Sequence, residues 1–292
     1  MLDFYRTHSR FSDPGPHAAW LGETGPDLAK LREAASGLVF HYTAHGDITQ
    51  HGFTAERAEE TDLRYADAML GRLRELNPAA PGKPRADTEK IVGNCRDFTL
   101  LLVAMARHHG IPARSRVGFA DYLLAGWWLD HVVAEIWDGT RWRLVEPQFP
   151  DGYTDPVDGG PFDLLDVPRD RFLVGADAWT ACRAGAADPA KFVVWPDNPV
   201  PFLRGLPYVR HNLVLDLAAL NKQEMVLWDV WGSLNVDTEV APADAARADE
   251  LAALVGDPER IQAAYDADDV RVPPVIRSFP PPGQAPVEIV LR

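Results

Sequence analysis

The sequence predicts an α+β fold, and three observations indicate this class. Apolar residues recur at helical spacing in several segments, as they do between residues 63 and 73. The segments between residues 114 and 149 have the β-branched and aromatic content of strands instead. Within those segments, Asp138 and Gly139 form a dipeptide that is typical of a tight turn between antiparallel strands. We therefore expect helices and an antiparallel sheet in the same chain.

The first half of the chain contains the predicted helices and strands of a core. A short helix followed by an apolar run is expected at "DLAKLREAASGLVFHY", and a further helix begins near Cys95 and ends at Gly110 and Pro112. Strands are expected at "RSRVGFADYLL", "DHVVAEIWDG" and "TRWRLVEPQF". An amphipathic helix is expected between the first two helices, at "TAERAEETDLRYADAMLGRLREL", with apolar positions Leu63, Ala66, Met69, Leu70 and Leu73.

The second half has a different composition. Residues 150 to 207 are rich in Pro, Gly and Asp, which predicts long ordered loops with a short helix at "GADAWTACRAG". Helices are expected at "NLVLDLAALNKQEMVLWDVWG" and "APADAARADELAALVGDPERIQAAY", and the last twenty residues are expected to be extended. We divide the chain into an N-terminal helical part (1–80), a core (81–150) and a loop-rich, helical extension (151–292) that we expect to pack on the same domain.

Composition excludes several classes of function. The formal net charge is -14, from 43 acidic and 29 basic residues, and no basic run is present, so nucleic-acid binding is not expected. No apolar stretch reaches the length of a membrane span, and the N-terminus lacks the apolar region of an export signal. We therefore expect a cytoplasmic protein without a membrane partner. In that compartment the two cysteines, Cys95 and Cys182, would be free thiols.

Cys95 occupies a position that suits a reactive thiol. Gly93 permits a tight turn, Asn94 is a preferred N-cap residue, and Asp97 follows three residues later. The segment "NCRD" is therefore close to a capping box, and Cys95 becomes the first helical residue. A thiol at a helix N-terminus lies at the positive end of the macrodipole and ionises more easily. The alternative is a small buried residue that begins a helix and has no chemical role.

The predicted hairpin supplies partners for this thiol. With a two-residue turn at Asp138 and Gly139, Trp137 would face Thr140, and the same register would place His131 directly opposite Glu146. Residues that face each other on one side of a sheet lie close enough for a carboxylate to accept a hydrogen bond from an imidazole. Such a bond leaves the other ring nitrogen available as a base toward a thiol. An ordinary cross-strand pair without catalytic role is the alternative.

These residues resemble the motifs of the transglutaminase-like superfamily, whose members have a papain-like cysteine enzyme fold. The resemblance is carried by "GNCRDFTLLLVAMARHHGIPARSRVGF" and "DHVVAEIWDGTRWRLVEPQ" and covers residues 92 to 149. It implies a nucleophile-bearing helix packed on an antiparallel sheet, with Cys95 as nucleophile, His131 as general base and acid, and Glu146 as the orienting acid. The family usually has aspartate at this third position. Asp130 projects from the opposite face of the strand to His131, so it is a poor substitute.

The resemblance also implies where substrate binds. The family's oxyanion hole usually combines the backbone N–H of the nucleophile with an upstream side-chain donor, and the candidates here are His41, Tyr42, His45, Gln50 and His51. Trp127 and Trp128 precede the histidine-bearing strand, so they could line the cleft for an acyl chain or pack into the core. From these residues we expect an amidase, peptidase or amide-forming acyltransferase. Its acyl donor would be a small molecule or peptide, and the acceptor would be either water or an amine.

Two other functions compete with this interpretation. An inactive transglutaminase-like domain could serve as a binding or scaffold module, and the glutamate in place of aspartate keeps this alternative open. A metal site could use His41 and His45 if they lay four residues apart on a helix, but Thr43 and Gly46 disfavour a helix there. We therefore expect no metal and no cofactor. Hydrolysis and transamidation are not separated by the sequence, and the oligomeric state stays open.

Overall fold

The structure is a computed structural model and describes residues 1–44, 46–232, 234, 238–280 and 285–292. The chain forms two compact units that are interleaved in sequence. The first unit comprises Met1–Ser115, Val133–Tyr153 and Phe162–Val167. The second unit comprises Arg116–Val132, Thr154–Pro161 and Pro168–Arg292.

Helices and strands alternate along the described residues, which confirms the predicted α+β class. The elements that precede the hairpin are α1 (Leu2–Arg6), α2 (Ala18–Leu21), α3 (Leu28–Leu38), β1 (Val39–His41), α4 (Ala66–Leu76), β2 (Ile91–Gly93), α5 (Cys95–His108) and β3 (Ala113–Ala120). The hairpin strands are β4 (Trp128–Trp137) and β5 (Trp142–Val145). The elements that follow are β6 (Phe172–Val174), α6 (Gly175–Arg183), β7 (Phe192–Val193), α7 (Gly205–Leu220), β8 (Asp229–Val230), α8 (Pro242–Ala252), α9 (Pro258–Tyr265), β9 (Val275–Ser278) and β10 (Val287–Val290).

Helix α5 is the central helix of the first unit. Every residue from Cys95 to Arg107 is buried, so the helix has no solvent-facing side, although the sequence predicts a single apolar face. Its charged residues have internal partners: Arg107, for example, donates to the carbonyl of Ala113 at 3.0 Å and to the Ser12 hydroxyl at 2.9 Å. Because these partners are distant in sequence, burial on all sides could not be read from the helix itself.

A two-stranded parallel sheet leads into this helix. Strand β1 pairs with β2 in a register that matches Phe40 with Val92 and His41 with Gly93. Phe40 and Val92 belong to an apolar cluster with Ile48 and Phe53 on one face of the pair. Side chains alternate along a strand, so His41 and the Cβ position of Gly93 belong to the other face.

The main antiparallel sheet has the strand order β5-β4-β3-β6, with β7 beside β4. Strands β4 and β5 pair with Trp137 opposite Trp142 and Ala134 opposite Val145. The predicted two-residue turn, which paired Trp137 with Thr140, is therefore wrong by two positions. The physical reason is the Asp138 side chain, whose Oδ1 accepts the backbone N–H groups of Thr140 and Arg141 at 2.8 and 2.9 Å and thereby closes a longer turn.

The second unit is built around helices α6 and α7. They cross closely at Gly175, where a Cβ atom would lie 2.6 Å from the carbonyl oxygen of Asn212. Helix α7 is tied to β3 by the buried Asp216 carboxylate, which accepts two hydrogen bonds from the Arg116 guanidinium at 2.9 and 2.8 Å and one from the Val117 N–H at 2.9 Å. This fully paired carboxylate is a stable anchor because no charge is left without a partner.

A separate antiparallel sheet of the second unit contains the C-terminal strands in the order β10-β9-β8. Its register matches Val290 with Val275 and Glu288 with Arg277. The extended conformation predicted for the last twenty residues is confirmed over Val275–Ser278 and Val287–Val290. Across the described ranges, no helix combines the length and the apolar character that a membrane span requires.

Candidate active site

Cys95 is the first residue of helix α5, as the sequence predicts. Its N-cap residue Asn94 accepts the Arg96 N–H on its side-chain oxygen at 2.9 Å, and the Asp97 carboxylate accepts the Asn94 N–H at 2.9 Å. These reciprocal bonds form the predicted capping box. Cys95 itself is 5% exposed. The thiol thus stands at the positive end of a helix of 14 residues, where a thiolate is stabilised.

A buried ion pair supports the start of this helix. Arg96 donates to the Asp97 carboxylate at 3.1 Å and to the carbonyl oxygen of Arg64 at 2.6 Å. Burial raises the pKa of the Asp97 carboxyl to about 6, while the Arg96 guanidinium and the Asn94 N–H act in the opposite direction. Asp97 is therefore ionised at neutral pH and becomes protonated in mild acid, which weakens its acceptor role in the capping box.

Gly93 brings β1 and the nucleophile's helix together. A Cβ atom at Gly93 would lie 2.7 Å from the Asp97 carboxylate and 2.9 Å from the Val39 side chain, so only glycine fits. Because the Cβ position of Gly93 lies next to Asp97, the face of the β1–β2 pair that includes this position is the one that meets the first turn of α5. His41, which pairs with Gly93, projects from that face because residues matched across a sheet share one side.

The His41 ring has a defined tautomer. Its Nδ1 receives hydrogen bonds from the backbone N–H groups of Thr43 and Ala44 at 3.3 and 3.2 Å. A backbone N–H can only donate, so Nδ1 is an acceptor and the proton of the neutral ring resides on Nε2. His41 is half-buried, its ring stacks on that of Tyr42 with centroids 5.4 Å apart, and Nε2 carries its donor N–H.

The other upstream candidates have different surroundings. Tyr42 packs against the apolar cluster around Phe40, and its backbone N–H donates to the Gly93 carbonyl at 3.0 Å. His51 also packs on Phe40, with ring centroids 5.0 Å apart, and Gln50 is exposed. His45 lies outside the described residues. Among the described candidates, His41 is the one that the strand register aligns with the segment leading into Cys95.

His131 is a buried residue of strand β4 in the second unit. It is 1% exposed, and the rings of Tyr122 and Phe172 stand edge-on to it at centroid distances of 6.1 and 6.4 Å. Its neighbour Asp130 accepts a hydrogen bond from the Tyr208 hydroxyl at 2.6 Å. Burial raises the pKa of the Asp130 carboxyl to about 6, against the effect of the Tyr208 hydroxyl. Asp130 is thus engaged with helix α7, in line with its expected projection away from the His131 side of the strand.

Glu146 follows the last residue of β5 and belongs to the first unit. It is completely buried, its backbone N–H donates to the Leu164 carbonyl at 2.8 Å, and its Oε1 accepts the Gln148 N–H at 2.9 Å. The observed hairpin register, continued by one position, matches Glu146 with Val133 and not with His131. The prediction of directly opposite residues is therefore wrong. A shift by two positions preserves the alternation, so residues 131 and 133 project from the same side of β4.

Trp127 and Trp128 are half-buried in the second unit, and each has an intramolecular partner. The Lys191 ammonium lies 4.5 Å from the ring centroid of Trp127. Trp128 stacks on Phe192 at 5.7 Å with nearly parallel planes. Both rings are therefore held in place, and both keep exposed surface.

Some supporting residues have no clear signal in the sequence. Tyr122 and Phe172 flank the His131 ring. The Gln148 N–H donates to the Glu146 carboxylate, and the Arg64 carbonyl accepts a hydrogen bond from the Arg96 guanidinium. Tyr122, Phe172 and Arg64 are not adjacent in sequence to the residues that they contact, so no sequence pattern indicates these contacts. Gln148 is the exception, because it lies in the segment "VEPQ" together with Glu146. Within the described ranges, no group of three or more His, Cys, Asp or Glu side chains has an arrangement that could hold a metal ion.

Comparisons with known proteins extend these observations. The model of the transglutaminase-like superfamily matches residues 56–147, a segment that contains Cys95, His131 and Glu146. A solved structure from Cytophaga hutchinsonii, named as a candidate cysteine protease, is similar with a TM-score of 0.36 and 15% identity. The similarity covers 58% of this chain and 44% of that one, so less than half of the neighbour is spanned, and no functional conclusion rests on it. A search of curated proteins found no significant match.

Proposed function

We propose that the chain, whose residues 56–147 match the model of the transglutaminase-like superfamily, is a cysteine enzyme that acts through an acyl-thioester on Cys95. The observation that carries the proposal is the position of Cys95 at the capped N-terminus of α5, inside the matched segment. A capped helix start presents a thiol to the positive end of the helix dipole, which favours its ionised, nucleophilic form.

The first half of the proposed reaction forms the acyl-enzyme. His131 accepts the thiol proton as the Cys95 sulfur attacks the carbonyl carbon of an amide, ester or thioester. The carbonyl electron pair moves to oxygen, which gives a tetrahedral oxyanion. When the intermediate collapses, the bond to the leaving group breaks and His131 returns the proton to that group.

Glu146 is the proposed orienting acid for His131. Its burial and the hydrogen bond from the Gln148 N–H support this role, because they hold one carboxylate oxygen in a defined position. A carboxylate that accepts the imidazole N–H selects the tautomer with a basic nitrogen toward the thiol and stabilises the imidazolium that forms. Glutamate replaces the usual aspartate here. Its side chain is longer by one methylene, which helps its carboxylate to reach a histidine that is not directly opposite in the strand register.

Two donors are proposed for the oxyanion. The backbone N–H of Cys95 is one of the first-turn N–H groups, which point out of the N-terminal end of the helix. His41 is the proposed side-chain donor, supported by the proton on Nε2 and by its register with Gly93. Donors that are oriented before the reaction stabilise developing charge more strongly than mobile water does.

The second half of the proposed reaction determines the product. Water or an amine then attacks the thioester carbon and gives a proton to His131, the C–S bond breaks, and His131 returns the proton to the Cys95 sulfur. Water as the nucleophile gives a carboxylic acid and makes the protein a hydrolase, whereas an amine gives an amide and makes it an acyltransferase. We propose a small-molecule or peptide acyl donor, with Trp127 and Trp128 contacting its apolar part. Their partly exposed, intramolecularly packed rings support such a contact, because fixed aromatic surface binds apolar groups with little loss of entropy.

The proposal is tested by trapping the acyl-enzyme. The chain is incubated with p-nitrophenyl acetate, and the intact protein is analysed by mass spectrometry after rapid acid quenching. One acetyl group is expected on the wild-type chain and none on Cys95→Ala. Cys182→Ala is the matched control and should acetylate normally, because burial raises the pKa of the Cys182 thiol to about 11 and keeps it unreactive. Acetylation that persists in Cys95→Ala contradicts the proposal.

The pH dependence of alkylation separates an enzyme from a scaffold module. Iodoacetamide should modify Cys95 well below the ordinary thiol pKa of about 8.5 if an imidazole assists ionisation. Modification that begins only near that pH supports the scaffold alternative. For a reactive Cys95, addition of glycinamide distinguishes the two products: faster turnover with amide formation indicates an acyltransferase, and unchanged release of acid indicates a hydrolase.

A further inference from the structure

The C-terminal sheet of the second unit presents unusually exposed apolar residues. Val275 on β9 is 46% exposed, and Val287 and Val290 on β10 are 42% and 76% exposed. Val275 and Val290 face each other across the two strands, so they form one apolar row on the outer surface of the sheet. Such a row at the edge of a sheet is a feature that soluble proteins usually avoid.

The backbone of β10 is also oriented for further pairing. Strand β10 is at one end of the strand order β10-β9-β8. The Leu291 N–H donates to the Pro274 carbonyl at 2.8 Å, so Leu291 and Ile289 direct their backbone groups toward β9. By alternation, Glu288, Val290 and Arg292 direct their N–H and C=O groups to the open edge. Among the described residues, no strand pairs with that edge.

The outer face of β10 is complementary to itself. Glu288, Val290 and Arg292 follow one another at every second position, so an acidic, an apolar and a basic side chain share this face. Across β9, Glu288 is matched with Arg277 and Val290 with Val275. If a second β10 ran antiparallel with Val290 at the centre, Glu288 of each copy would face Arg292 of the other.

We propose that β10 pairs with β10 of a second copy of this chain, antiparallel and about a twofold axis at Val290. The apolar row would then continue as Val275 and Val290 of one copy, followed by Val290 and Val275 of the other. The charges on either side alternate, because each Glu288 lies between Arg277 of its own sheet and Arg292 of the second copy. An interface of this type is isologous, so every contact is made twice.

The charges on β10 favour this strand register over the two registers whose twofold axes lie at Glu288 or Ile289. A twofold axis at Glu288 would place the two glutamates opposite each other, which is destabilising. An axis at Ile289 would place Glu288 against Val290 and would not bring Glu288 opposite Arg292. The same self-complementarity favours a second copy over an unrelated peptide, since the matching charges are both present on one strand.

Two charge-reversal variants test the proposal. Sedimentation of the chain without a C-terminal tag should show a concentration-dependent dimer. Glu288→Arg places arginines opposite each other in the pair, and Arg292→Glu places glutamates opposite each other, so each variant alone should dimerise roughly tenfold more weakly. An equimolar mixture of the two variants should recover wild-type association, because both cross-strand pairs are then attractive. Recovery in the mixture also shows that both variants are folded.

A backbone variant and a control complete the test. Val290→Pro removes an N–H that points to the open edge, so it should abolish association while leaving the pairing with β9 intact. Glu259→Arg changes the charge equally at an exposed position of α9 and should associate like the wild-type chain. A wild-type chain that stays monomeric at every concentration overturns the proposal. Single variants that associate normally, or a mixture that does not associate, overturn it as well.

Discussion

Gly93 is the residue on which the geometry at Cys95 depends most directly. The Asp97 carboxylate and the Val39 side chain lie so close to Gly93 that a Cβ atom at this position would clash with both. The sequence could indicate that a turn residue belongs there, and the capping box of Asn94 and Asp97 was predictable from their spacing. The close contact with Val39 was not predictable, because it depends on the parallel pairing of two strands whose matched residues are 52 positions apart.

Substitution of Gly93 tests this close packing. Gly93→Ala should lower the free energy of unfolding by about 1–3 kcal/mol, because Asp97 or Val39 must move to admit the methyl group. The same movement should slow alkylation of Cys95 by iodoacetamide several-fold. Urea unfolding and alkylation kinetics measure the two effects.

Gly37 in helix α3 is the matched control for Gly93→Ala. A Cβ atom there would meet nothing within 4 Å, so Gly37→Ala should stabilise the chain by roughly 0.5–1 kcal/mol through helix propensity alone. If Gly93→Ala and Gly37→Ala change the free energy of unfolding in the same direction, a steric clash at Gly93 does not explain the effect of Gly93→Ala.

The β4–β5 hairpin shows at the element scale how side-chain chemistry overrides a sequence pattern. The dipeptide Asp138-Gly139 predicts a two-residue turn, but the turn extends to Arg141. Hydrogen bonds from the Arg141 backbone and from Thr140 lower the pKa of the Asp138 carboxyl well below its ordinary value, so the carboxylate persists in acid. The strands themselves were predictable from their composition. Their register was not, because one side-chain acceptor satisfies two backbone donors and changes the loop length.

The hairpin register yields a test by hydrogen exchange. In Asp138→Ala the N–H groups of Thr140 and Arg141 lose their acceptor, so both amides should exchange faster than in the wild-type chain. Asp138→Asn retains a side-chain oxygen and should protect them to an intermediate degree. NMR-detected exchange measures each amide separately. Equal protection in the alanine variant would mean that the turn is held by the backbone bond between Asp138 and Arg141 alone.

Helices α5 and α7 show a second limit of prediction from sequence. Helix α5 was predicted from its cap and stop residues, whereas the helix predicted at residues 212–232 coincides with α7 only over residues 212–220 and is wrong beyond it; both helices are buried on nearly all sides. Burial of Arg116, Asp216, Arg96 and Asp97 is possible because each charge has a partner, either on the same turn or on a remote element. The spacing of apolar residues in the sequence predicts a helix and its apolar positions. It does not predict these ion pairs, because they depend on tertiary contacts.

At the scale of the whole molecule, two buried groups make opposite contributions to stability in acid. Burial lowers the pKa of His211 to about 4, and its Nε2–H donates to the Leu227 carbonyl at 2.8 Å. The unfolded chain binds this proton more tightly, so the stability from neutral His211 is lost as the pH falls from about 6.5 to about 4. For Asp97, whose pKa is raised to about 6, the folded chain binds the proton more tightly, so its contribution to stability grows as the pH falls from about 6 to about 4.

The variant His211→Gln separates these two contributions. Glutamine can still donate to the Leu227 carbonyl but does not titrate, so the variant loses the pH-dependent contribution of His211 and keeps those of Asp97 and of the other titrating groups. A pKa shift from 6.5 to about 4 corresponds to about 3 kcal/mol. Relative to His211→Gln, the wild-type chain should therefore lose about 3 kcal/mol of unfolding free energy between pH 7 and pH 4. Urea unfolding at several pH values in this range measures the difference. A difference that stays constant with pH would show that His211 has the same pKa in the folded and unfolded chains, and a neutral imidazole held by burial would then be the wrong description of this residue of helix α7.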